Sequence, residues 1–170
     1  MQKNNEYYNQ VLELCSKNIS HKELINFLEN GNIAERQFAA LNLNYVNDFK
    51  EAKILLSNLV GVDGKIREAA ALKIFELTEK SPEMFLKEEN FKTFSNATID
   101  IDGNVCRLAI LSAYNLKINK NFAEFYSKEM INTINIALEE ISKFTFRDKK
   151  YKINKQIFKI YWCLEALIDF

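Results

Sequence analysis

Proline occurs once in the 170 residues and glycine only four times. An all-β fold needs those residues at its many tight turns. Their scarcity points instead to long helices with short connections. The four glycines, Gly31, Gly61, Gly64 and Gly103, fall at expected helix stops or turns and form no phosphate-binding loop. Histidine occurs once, as His21. It sits at a helix start, with no nucleophile and orienting group marked beside it, and reads as a surface or capping residue rather than a base. The three cysteines, Cys15, Cys106 and Cys163, are odd in number, far apart and without ligand spacing. They read as buried free thiols of a reducing cytoplasm, and no metal or other cofactor is expected. No window reaches the apolar length of a membrane span, and residues 1–10 lack the apolar core of a secretory signal. The expectation is a non-enzymatic cytoplasmic protein without membrane attachment.

Charge is balanced overall, with 23 basic and 23 acidic residues, but it is unevenly placed. Residues 143–170 carry seven Lys/Arg against three Asp/Glu. The rest of the chain is net acidic to the same degree.

What the sequence does have is a repeated helix start. Asp63-Gly64-Lys65-Ile66-Arg67 leads into Ala69, Ala70, Ala71 and then Ile74, Phe75 and Leu77. Asp63 can cap the first turn with its carboxylate. Ile66, Ala70, Ile74 and Leu77 fall on one helical face, small at its start and large further on. Arg67 lies at the positive end of the helix dipole, where a cation needs a specific carboxylate or carbonyl partner. Thirty-nine residues later Asp102-Gly103-Asn104-Val105-Cys106-Arg107 repeats the start, with cysteine at the arginine position and Arg107 one place late. Thirty-one residues earlier Asn32-Ile33-Ala34-Glu35-Arg36 leads into Ala39-Ala40, with Glu35 where a β-branched residue is expected.

Over roughly residues 31–142 this pattern resembles the HEAT repeat, whose first helix reads D-x-x-V-R-x-x-A-A-x-x-L. The resemblance implies stacked helix pairs in a short right-handed α-solenoid. It also implies a ladder between neighbouring repeats built from Asp63, Arg67, Asp102, Arg107 and Arg36. Repeats of this length must stack to bury their apolar faces, which points the same way. The expected organisation is one all-α domain over 1–170. A plain helix pair fills residues 1–30, three repeats fill 31–142, and a basic helix follows over 143–170.

Boundary signals fill in the rest. Ser20-His21-Lys22-Glu23 and Asp48-Phe49-Lys50-Glu51 read as capping boxes. Ser81-Pro82 reads as the start of a helix through Phe94, and Ser95–Ile101 as a loop. A long helix from about Asn121 to Lys143 buries Phe122, Tyr126, Met130, Ile134, Leu138 and Ile141. A final helix from about Lys152 to Ile168 buries Ile153, Ile157, Ile160, Leu164 and Leu167.

The leading functional expectation is a protein-binding module that uses the second helices of the pairs, including Lys50, Lys53, Glu83, Lys87, Glu124 and Lys128. A second class is a nucleic-acid-binding or DNA-repair protein. Its anion site would be Arg147, Lys149, Lys152, Lys155 and Lys159, with aromatic residues such as Trp162 among them. A third is a small inhibitor of the immunity-protein kind. The partner's identity and the oligomeric state are not written in the sequence.

Overall fold

The computed structural model describes residues 2–61, 63–145, 150–168 and 170, with side chains from Glu6 onward. The described residues form nine α-helices and no strand: α1 (Gln2–Cys15), α2 (His21–Asn30), α3 (Ile33–Asn42), α4 (Phe49–Ser57), α5 (Gly64–Lys80), α6 (Glu88–Thr98), α7 (Gly103–Leu116), α8 (Lys120–Ser142) and α9 (Lys150–Leu167). A single 3-10 turn, Pro82–Phe85, follows α5. The protein is all-α, as its composition requires.

The helix starts follow from local chemistry. Ser20 and Asn32 each close a full capping box, with Glu23 and Glu35 returning to the cap's own N–H. Glu35 thereby explains its departure from the repeat pattern: the third helical position holds a capping carboxylate instead of a core residue. Asp63 and Asp102 accept from the N–H groups of Lys65 and Asn104. Asp48 caps Lys50 and Glu51, but the box expected there does not close. The Glu51 carboxylate is taken instead by Asn47 N–H at 2.8 Å and by His21 Nε2 at 2.9 Å.

Two boundaries differ from the sequence expectation. Ser81-Pro82 starts only the 3-10 turn; α6 begins six residues later at Glu88, with no side-chain cap. Ser95–Thr98 are helical rather than a loop, with Ser95, Ala97 and Thr98 buried and Asn96 exposed. Thr98 satisfies its hydroxyl inside, against Phe94 O at 3.0 Å and Tyr126 Oη at 2.6 Å. A polar, β-branched stretch stays helical when its hydroxyls find partners within the core.

The chain packs as two compact units, residues 1–85 and 86–170. In the first, α3 packs on α1, α2 and α5, while α4 packs on α2, α5 and the 3-10 turn. α3 buries Ala34, Ala39 and Ala40, and α5 buries Ala69, Ala70 and Ala71, so small side chains line helices that lie against each other. In the second unit, α6 packs on α7 and α8, and α9 packs on α8, α7 and α6. The closest hairpins are α2–α3, α6–α7 and α8–α9. The α6–α7 hairpin joins the second helix of one expected repeat to the first helix of the next, while α2–α3 and α8–α9 join the expected repeats to the N-terminal pair and to the terminal helix.

Candidate functional site

Each unit holds one feature that could do more than fold the chain. In the first unit it is a polar junction at the ends of α2, α3 and α4. Arg36 donates from Nε to Gly31 O at 2.8 Å and from Nη2 to Glu29 O at 2.9 Å. Its Nη1 lies 3.4 Å from Asn58 Oδ1. Asn58 is fully buried and donates to Leu28 O and Ile54 O. The arginine thus satisfies carbonyls that the end of α2 leaves open, which is the partner expected for a cation at a helix start. Gly31 sits under this junction, where a Cβ would come 2.5 Å from Phe27 O.

Beside it, His21 stacks on Tyr45 with centroids 4.4 Å apart, and its Nε2 lies 2.9 Å from Glu51 Oε2 and 3.0 Å from Asn47 Nδ2. Burial works to raise the Glu51 carboxyl. The Asn47 N–H and His21 outweigh it and hold that carboxyl below its usual range. The expectation of His21 as a surface or capping residue did not include its contacts with Glu51 and Tyr45. A cleft of about 500 Å3 runs between α1 and α3, lined by Tyr7, Tyr8, Val11, Phe38 and Leu41.

In the second unit the core is aromatic. Phe122 meets Phe91 edge-on at 5.0 Å and Phe94 at 5.7 Å, and stacks on Tyr126 at 5.6 Å. Tyr126, near the start of α8, meets Phe170, just beyond α9, at 4.9 Å, so α8 and α9 run antiparallel. Phe122, Tyr126 and Met130 are buried as their spacing predicts, but Leu138 is exposed and Ala137 is buried in its place. Steps of four residues advance 40° beyond a full turn, so a fourfold stripe leaves the core face within a few turns. The inner face of α8 corrects this by a step to Ala137.

The larger correction concerns α9. Its fully buried residues are Cys163 and Ala166, whereas Ile157 and Leu164 of the expected core stripe face solvent. Ile153, Ile160 and Leu167 are half-buried. α9 is apolar around most of its circumference, and spacing alone could not choose the inner side.

Most of the exposed apolar residues share a face, with Tyr151 on α9 and Ile136 on α8 lying off it. Ile157, Tyr161, Leu164 and Ile168 are spaced four, three and four apart and cover a sector of about 60°. On α8, Ile131 and Leu138 occupy one sector as well, seven residues apart. These six residues are 51 to 74 % exposed. On each helix this sector lies just past the half-buried positions (Ile134 and Ile141 on α8, Ile160 and Leu167 on α9) and opposite the side that meets α6 or α7. Because the two helices are antiparallel, both sectors open on the same side of their seam. The result is one apolar face across a helix hairpin.

The basic residues of the expected anion site are placed differently. Arg147 and Lys149 lie outside the described residues. Lys152 and Lys155 are exposed, and Lys159 is half-buried one turn from Cys163. All three continue the inward line of Cys163 and Ala166 and lie off the exposed apolar sector. Trp162 is not available as a stacking platform: its edge packs on Phe158 and Tyr161, and its ring rests 3.4 Å from where Gly103 would carry a Cβ.

Among the ladder residues, Arg36 takes carbonyls and Asn58 as described. Arg67 is half-buried, Arg107 is exposed, and Asp63 and Asp102 act as caps. Cys106, at the arginine position of its copy, points its thiol at Asp100 O, 3.1 Å away. Lys50, Lys53, Glu83, Lys87, Glu124 and Lys128 are all exposed.

The thiols follow their burial. Cys106 is pushed up to about 12 by burial, with the carboxylate of Asp100 adding to it. Cys163 is pushed up to about 11 by burial, against the pull of Lys159. Cys15 is exposed, contrary to the expectation of three buried thiols. Among the described residues no group of three His, Cys, Asp or Glu could hold a metal ion, and no helix is long and apolar enough to cross a membrane.

Comparison with known proteins finds no matching family model, no matching curated protein and no matching solved structure.

Proposed function

We propose that this chain is a non-catalytic protein-binding module built from HEAT-like helix pairs, and that it binds through the outer face of the α8–α9 hairpin. The observation that carries the reading is the row Ile157, Tyr161, Leu164 and Ile168 beside Ile131 and Leu138, all more than half uncovered. Single exposed apolar residues are ordinary on a protein surface. Six in one sector of two packed helices are the composition of an interface. The HEAT-like part of the reading is supported by three helix starts of one design and by packing between helices two places apart within each unit.

Nucleic-acid binding through Lys152, Lys155 and Lys159 fits less well. Lys159 is drawn inward toward Cys163, and of the uncovered aromatics of α9 only Tyr151 stands beside the lysines, while Tyr161 lies on another side of the helix. A photo-crosslinking residue in place of Leu164, activated in living host cells, tests the choice. Discrete protein adducts are expected. Adducts to nucleic acid, or none, would overturn the reading.

A further inference from the structure

We infer that the partner taken by the α8–α9 face is a second copy of this chain, joined about a twofold axis so that the two hairpins form a four-helix bundle. The inference rests on the protein-binding reading of this face and names its occupant.

The first argument is area. Six side chains of this size, each half uncovered or more, leave on the order of 600 Å2 of surface per copy. Two such faces together approach the ~1,200 Å2 at which specific interfaces begin. The half-buried Ile134, Ile141, Ile153, Ile160 and Leu167 border the same seam and would add to it.

The second argument is shape. An antiparallel helix pair presents two parallel ridges with a groove between them. Another pair of the same make fits it ridge into groove, which is how four-helix bundles are assembled. A twofold interface must be self-complementary, and an apolar sector interrupted between Ile131 and Leu138 only by the uncharged Asn135 meets that condition with little matched polar pattern.

The third argument is charge. The sector itself carries no charged residue from Ile131 to Leu138 on α8 or from Ile157 to Ile168 on α9. Its borders carry both signs: Glu124, Lys128 and Glu139 on α8, Glu165 on α9. A strongly acidic or basic partner would find no complement there, whereas a border of mixed sign can face itself without a like-charged wall.

The test is the mass of the full chain in solution. Sedimentation velocity across a dilution series is expected to show twice 19.9 kDa at high concentration, falling to 19.9 kDa on dilution. Ile157→Glu with Leu164→Glu would place unpaired charges in the closed interface and weaken association by roughly a hundredfold or more. Helical circular dichroism should be unchanged, because both positions are already in water. Lys152→Glu with Lys155→Glu serves as the control and should leave the dimer intact. A second pair of variants guards against an accidental effect of charge. Ile157→Glu and Ile157→Lys, each weakened alone, are expected to associate more tightly when mixed.

A chain that stays at 19.9 kDa up to about millimolar concentration overturns the inference, as does a dimer indifferent to the Glu substitutions. The two readings fail separately. A monomer that still yields discrete crosslinks from position 164 to another protein keeps the binding face and loses the dimer. A monomer with no protein crosslink loses both.

Discussion

The first unit fastens its helix ends with polar groups, and the second fills its centre with rings. At the end of α2, three carbonyls are met by Arg36 and Asn58 from α3 and the close of α4. At the corresponding position of the α7 start there is no guanidinium, only the Cys106 thiol reaching Asp100 O. Both side chains stand four residues after their cap, and both donate to a carbonyl just ahead of their own helix. The motif keeps a place and a direction rather than a residue type. Where the preceding helix ends in open carbonyls a long forked donor is used; where the chain turns tightly through Asp100 a short thiol suffices. The second unit compensates through Phe91, Phe94, Phe122 and Tyr126, whose contacts are non-directional and large in area.

The contrast can be broken most sharply at its two centres. Phe122→Ala should cost about 3–5 kcal/mol, since it empties the site where three aromatic neighbours meet. Urea unfolding followed by near-ultraviolet circular dichroism would read it. Asn58→Leu should cost about 2–4 kcal/mol for a side chain of similar size, because it strands Leu28 O and removes an acceptor from Arg36. A loss below about 1 kcal/mol would mean the junction is ornamental and the first unit is held by apolar packing alone. Gly31→Ala should cost about 1–3 kcal/mol, since a Cβ at 2.5 Å from Phe27 O forces the backbone of the junction to shift. Cys106→Ala, the matching change in the second unit, should cost about 1 kcal/mol, as it removes only a weak donor and little volume.

Acid separates the units in a different way. Glu51 has its folded carboxyl below the usual value, so it contributes stability above the unfolded carboxylate range. That contribution disappears as pH falls through about 4 and below. Glu51→Gln should flatten the acid-side loss of thermal stability, and an unchanged profile would remove Glu51 from the account. Thiol labelling gives the smallest perturbation. At neutral pH Cys15 should react quickly, while Cys106 and Cys163 react only as the second unit opens.

Much of the fold was legible because it is written in local chemistry. Ser20 with Glu23 and the aspartates at 63 and 102 mark their helix starts through short-range bonds that sequence spacing reveals. The alanine patch of α5 and the first half of the α8 stripe follow from periodicity. What could not be read depends on distant partners. Glu51 looked like half of a capping box until His21, thirty residues away, claimed its carboxylate. Ser95–Thr98 looked like a loop because the partner of Thr98 lies on α8. The exposed face of α9 was hidden for a further reason: a helix that is apolar nearly all round does not state which side is inside, and its uncovered side was assigned to the core. The basic residues were the most visible signal in the sequence, and in the structure Lys152, Lys155 and Lys159 lie off the apolar face.

The packing order of the first unit also bears on how fast it forms. Every helix contact described there joins elements one or two places apart in the chain. Touching residues are therefore separated by short stretches of backbone, and little loop-closure entropy is spent before contacts form. Folding of that unit should fall in the microsecond-to-millisecond range of helical proteins, with α1 to α3 able to associate before α5 has left the ribosome.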